Sequence, residues 1–163
     1  MMNNAIDCYA TLYFNPFVLA PILRAFYEKA HVQPKNILLS YLVLPMVLTE
    51  STKKSSTVKS SKTFLVNSNS ASSLRSYCKE ASRLHGLPER VQEFRQLCQL
   101  CIQSLLDSGE IIISEDLSVL VKESRLNSSI CPDGTIKAAQ QLGNLFDEMD
   151  VVSVFRMLGV KKL

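Results

Sequence analysis

The sequence predicts a mainly α protein with one small β-hairpin, an α+β chain folded as a single helical domain over residues 1–163. Three observations predict it. Glycine is scarce, with 5 residues in 163, and Trp is absent, which disfavours a sandwich built on many tight turns. Leu-rich segments recur at helical spacing along the chain. One β-branched stretch, "GEIIISEDLSVLVKE" from Gly109, instead reads as two short strands around "SED". A chain of this length buries roughly 70% of its unfolded surface as one domain, whereas two domains would leave both halves small.

The first helix is read in "NPFVLAPILRAFYEKA" from Asn15. Asn15 is a plausible N-cap, and Pro16 suits the first helical position, which needs no amide hydrogen. Phe17, Ala20, Leu23 or Arg24, and Tyr27 recur at helical spacing, with Leu19, Ile22 and Phe26 widening the apolar face. Pro21 costs less in the first turns than at mid-helix, and "HVQP" ends the element.

The most apolar stretch is "NILLSYLVLPMVLTE", Asn36 to Glu50. Its twelve-residue apolar run, Ile37 to Leu48, covers about 18 Å as helix, too short for ~30 Å of hydrocarbon. Pro45 weakens a central-strand reading by removing a ladder donor. A buried helix from about 35 to 48, kinked or restarted at Pro45, is expected, and an element apolar all round must be covered all round.

Residues 51–73 form a polar middle, "STKKSSTVKSSKTFLVNSNSASS", read as a flexible segment. Val58, Phe64, Leu65 and Val66 want burial, so a short helix or strand stays open there. From Ser51 to Lys79 the chain has five lysines, Arg75 and no acid, a charge of +6 that leaves −3 on the remainder of a chain of net +3. Such a basic stripe suits a phosphate-facing surface. Lys53, Lys54, Lys59, Lys62 and Arg75 are the candidate DNA-contacting residues, able to touch phosphates without reading sequence; a solvated loop kept soluble by charge is the plainer alternative.

"SASSLRSYCKEASRLHG" reads as one serine-capped helix ending near Gly86. "LPERVQEFRQLCQLCIQSLLDSG" is the strongest helical segment, opened by Pro88 and closed by Gly109. Val91, Phe94, Cys98, Cys101 and Leu105 form its core stripe, with Leu97 and Ile102 beside them. After the hairpin, "SRLNSSICPDG" is a loop, and two helices follow, with Thr135 and Asp150 as caps. Helices followed by a hairpin is also the order of a winged-helix module, with the hairpin as wing.

Chemistry is sparse. A structural zinc needs about four ligands, and "CQLC", Cys98 to Cys101, has neither distant cysteines nor histidines at ligand spacing. Both lie on the core stripe, where a thiol behaves as a small hydrophobe. Cys78 and His85 are seven apart but lack any motif supplying an orienting group or an oxyanion hole. Phosphate-loop, dinucleotide-binding, zinc-protease and serine-hydrolase motifs are absent. A non-enzyme without cofactor or metal is expected. Five cysteines, an odd count, and no basic-then-apolar leader point to reduced thiols and a cytoplasmic location.

The order of "FNPFVLAPILRAFYEKA", "ILLSYLVLPMVLTESTKK", "LPERVQEFRQLCQLCIQSLLDSGEIIISEDLSV" and "AAQQLGNLFDEM" with "FRMLGVKKL" resembles the middle component of bacterial three-component ABC systems, including its Lamassu-type accessory subunits. Asn15-Pro16, "VLPMVL", Glu89-Arg90 and the "LGV" near the end carry the likeness, from about Tyr13 onward. The serine-rich middle departs from it: no match is found to an arginine that family members carry after the "VLP" block, and Lys53 or Lys54 does not take its role. The resemblance implies a non-catalytic subunit of an antiviral or anti-plasmid complex. Its partners would be an SMC-like ABC ATPase dimer and an effector, often a nuclease, with DNA met through the complex. Phe17 and Leu19 in the first helix, with Phe155 and Leu158 in the last, are then the expected docking residues. Two other readings stay open: a stand-alone winged-helix DNA-binding regulator, and a small enzyme using Cys78.

Overall fold

Asn15 opens the first helix as its sequence demands. Its side-chain oxygen accepts from the Phe17 N–H at 2.9 Å, and Pro16 occupies the first turn of α1, Pro16–Tyr27. The structure, a computed structural model, describes residues 11, 14–49, 61–69, 72–123, 131–147 and 149–163. Leu19, Ile22, Leu23 and Phe26 of α1 are fully buried. Phe17, read as part of that apolar face, instead points to solvent.

The apolar stretch folds as a 3₁₀ turn, Asn36–Leu39, running into α2, Ser40–Val47. The change of helix type falls at Leu39–Ser40 rather than at Pro45, which sits inside α2. Lys35, in the left-handed region at φ 62°, starts the turn, and the Ser40 hydroxyl donates to the Ile37 carbonyl at 2.6 Å. Leu42 to Val47 are all buried, each large aliphatic contributing about 1.5–3 kcal/mol by leaving water. The chain covers this element itself, with α6, Leu87–Asp107, on one side and α1, α3 (Ser61–Asn67) and α7 (Thr135–Phe146) around the rest.

The polar middle therefore holds a helix where it is described: α3 buries Leu65, and its Phe64 meets Tyr77 edge to face at 5.6 Å. Residues 72–86 are not one helix but two, α4 (Leu74–Cys78, capped by Ser73) and α5 (Ala81–Leu84). The buried Arg83 explains the break. Its guanidinium donates to the Tyr77 carbonyl at 2.9 Å and lies 4.4 Å from the Phe64 ring centre, taking over a carbonyl that a continuous helix would have satisfied. Gly86, at φ 70°, starts α6 instead of closing the preceding helix.

Strands β1 (Ile111–Ile113) and β2 (Val119–Val121) pair antiparallel, Ile112 opposite Leu120. Their loop is not a projecting wing. The Lys35 N–H donates to the Asp116 carbonyl at 2.9 Å, and the Asn36 side-chain oxygen accepts from the Val119 N–H at 2.8 Å. Thr135 is the first residue of α7 rather than its cap; Gly134 at φ 74° precedes it, and the Thr135 hydroxyl donates to the Pro132 carbonyl at 2.6 Å. Helix α8, Val151–Leu158, is capped by Asp150, which accepts from the Ser153 N–H at 3.1 Å. The described chain is thus mainly helical with one small antiparallel hairpin, and no described helix is long and apolar enough to cross a membrane.

Candidate interaction surface

Helix α6 has two faces that the sequence does not distinguish. One carries most of the expected core stripe: Val91, Cys98, Cys101 and Leu105 are buried, whereas Phe94, expected among them, is half-buried. The other runs through Glu93, Leu97, Leu100, Ser104 and Asp107, steps of four, three, four and three that keep them on one side. Leu100 is 48% exposed at its middle.

The start of α1 crosses beside this second face. Phe14, half exposed, meets Phe94 edge to face with ring centres 5.9 Å apart, and Phe17 is 75% exposed, the highest value among the exposed large apolar side chains. Two adjoining open depressions result, and both are lined by Leu100. One, of about 430 Å³, lies between Phe14, Phe94 and Leu97. The other, of about 670 Å³, lies between Pro16, Phe17, Pro21 and the last turns of α6, ending at Glu110. Together they make an apolar trough along α6. Apolar residues gathered this way on one face mark an interaction site more than scattered exposed leucines do.

The far end of the trough is held by charge. Arg24, 1% exposed within α1, places its Nε 3.4 Å from the Glu110 carboxylate and its Nη2 3.4 Å from Glu28, with the Lys122 carbonyl accepting at 3.5 Å. Glu110, just before β1, therefore joins α1 to the hairpin. The Arg24 signal was weak because arginine at a helical-core position is indistinguishable in sequence from one beside it.

The docking residues expected from sequence divide. Phe17 lines the trough, but Leu19 is 0% and Leu158 1% exposed, so both belong to the core and cannot face a partner. Phe155, on α8, is half-buried against that core. Of the expected DNA-contacting residues, Lys53, Lys54 and Lys59 lie outside the described residues. Lys62 is half-buried on α3, close to Gly134, and Arg75 is exposed on α4.

No group of three or more His, Cys, Asp or Glu side chains among the described residues is arranged to hold a metal. Burial pushes the Cys98 and Cys101 thiols up to about 12, Cys98 with a further push from its neighbour Cys101. Cys78 is half-buried and donates to the Met157 carbonyl at 3.8 Å; burial raises its thiol as well, the opposite of an activated nucleophile. His85 stands exposed at the end of α5.

A family model described as ABC-three component (ABC-3C) system Middle Component 3 matches residues 3–162. No curated protein and no solved structure matches the chain.

Proposed function

Because the chain belongs to the Middle Component 3 family of ABC-three component systems, and is thus an accessory component of such a system, we propose that it is a non-catalytic adaptor. It docks on an SMC-like ABC ATPase dimer and restrains or positions an effector, often a nuclease, in antiviral or anti-plasmid defence. The observation that carries this reading is the apolar trough between the start of α1 and α6, where Phe17 and Leu100 remain exposed beside a filled core. A folded body with that much apolar surface on one face is suited to a partner chain. DNA is reached through the complex, with the basic run from Ser51 to Lys79 supplying non-specific phosphate contact.

A stand-alone winged-helix regulator has less support, since the hairpin that would serve as wing is hydrogen-bonded to Lys35 and Ile37 through its loop and to Asn36 through β2. Co-expression with the products of neighbouring genes tests the adaptor reading. The expected result is co-purification with an ABC ATPase, lost on Phe17→Asp while the variant remains folded. A monodisperse monomer that never co-purifies with such an ATPase would sink it.

A further inference from the structure

The trough has ends as well as a floor, and the ends share a sign. Leu100 is the midpoint of the exposed α6 face; Glu93 stands seven residues before it and Asp107 seven residues after. Glu93 lines the depression at one end and Asp107 with Glu110 the other, and no Lys or Arg is among the described residues lining either. Glu110 is engaged by Arg24, so the outward charge rests on Glu93 and Asp107. The Asp107 carboxylate accepts one bond from Gln103 at 2.7 Å. From Glu93 to Asp107 the helix advances about 21 Å at ~1.5 Å per residue, the length of a partner helix of about four turns.

This pattern disfavours a second copy as the occupant. Two-fold packing of α6 on its symmetry mate about Leu100 would run the helices antiparallel and set Glu93 against the mate's Asp107 at both ends. Carboxylate would face carboxylate over an apolar seam, and such juxtaposition disfavours the pair. A heterologous helix with cations at its ends meets the same surface with attraction at both.

Resting on the adaptor reading, we infer that the trough receives one amphipathic α-helix of a partner protein, with apolar residues at i, i+3 or i+4 and i+7 and Lys or Arg near both ends. The apolar face seats against Phe14, Phe17, Leu97 and Leu100, and the terminal cations sit over Glu93 and Asp107. The charges set register and choice of partner, while the aromatic and Leu contacts supply most of the affinity.

The test uses the full chain and overlapping 20-residue synthetic peptides tiling the ABC ATPase and the effector encoded beside it, read by fluorescence anisotropy. The expected result is that the bound peptides have the basic-ended amphipathic pattern. Leu100→Asp should weaken them at least tenfold, and the charge swap Glu93→Lys with Asp107→Lys should weaken them at least tenfold while improving peptides whose terminal cations are changed to Glu. All three positions are exposed or half-exposed, and Lys at 107 suits a helix C-terminus, so thermal melting of the variants should match the parent chain. Binding unchanged by the charge swap, a preference for acidic-ended or extended peptides, or no bound peptide overturns the inference. A dimer of the chain alone that Leu100→Asp dissociates overturns it too. Full-length ATPase that still co-purifies in any of these cases leaves the adaptor reading standing; failure of that co-purification removes the adaptor reading itself.

Discussion

Gly143 of α7 packs directly on the Phe26 backbone of α1: a Cβ at Gly143 would lie 2.6 Å from the Phe26 carbonyl oxygen and 3.0 Å from the Ala30 nitrogen. Only the absence of a side chain lets the two helices cross this closely, and the crossing brings the Phe26 and Phe146 rings together at 5.9 Å. Gly143→Ala should therefore destabilise by about 2–4 kcal/mol, from overpacking against rigid backbone. Helix propensity alone would favour Ala by about 1 kcal/mol. Urea denaturation separates the two signs, and a stabilised variant would mean the helices have room to part.

Arg24 and Glu110 predict an asymmetry. Glu110→Gln leaves the buried Arg24 cation paired with Glu28 but without this second carboxylate, and Glu110 is about a third exposed, so the cost should be moderated to about 1–2 kcal/mol. Adding Arg24→Met to that variant removes the buried charge and should return part of the lost stability. A double-mutant cycle by chemical denaturation checks this; a double variant worse than the sum of the singles contradicts it.

Leu117 occupies the left-handed region at φ 64°, closing the hairpin loop with its N–H donated to the Ser114 carbonyl at 2.9 Å. Its side chain is 46% exposed, so little packing offsets the backbone strain. Leu117→Gly should stabilise by about 0.5–1 kcal/mol, because glycine adopts this conformation without a Cβ penalty. A rise in melting temperature is the expected reading.

The buried thiols predict an alkaline limit. Cys98 and Cys101 titrate near 9.0 when exposed, and burial pushes each up to about 12 in the fold. Above pH 9 the unfolded chain releases these protons while the folded chain keeps them, so stability falls as pH rises from about 9 toward 12. It is undiminished by these groups below pH 9. Each thiol contributes a slope of up to about 1.4 kcal/mol per pH unit. Cys98→Ala with Cys101→Ala should flatten that limb of the stability–pH curve, at the cost of some core packing.

A charge within α2 should be lethal to the fold. Leu44 is 0% exposed in α2, a helix packed against α6, α1, α3 and α7, so Leu44→Lys buries an ammonium with no built partner. Loss of the cooperative thermal transition and of soluble expression is expected, whereas Arg75→Ala on the exposed face of α4 should melt like the parent chain.

Much of this was legible because it is local. The Asn15-Pro16 start of α1, the Asp150 cap of α8, the core stripe of α6 and the hairpin around "SED" each depend on residues within a few positions of one another. Periodicity and capping read such information directly. The break between α4 and α5 was not legible, since Arg83 holds the Tyr77 carbonyl through a side chain that any exposed helix might also carry. Asn36 looked like the polar edge of an apolar run; folded, it is 0% exposed and bonds the Val119 amide 83 residues away.

The candidate site divides in the same way. Composition and order along the chain determined the helical class, the single hairpin, the basic segment and the family. Which apolar residues face outward was decided by tertiary packing alone. Phe17 and Leu19 stand two residues apart on one helix with similar hydrophobicity, yet one is 75% and the other 0% exposed. The reason is geometric: α1 meets α6 and α7 on particular sides, and a helix rotates its residues by about 100° each. Local sequence fixes that rotation, but only the neighbours set which side of it is dry.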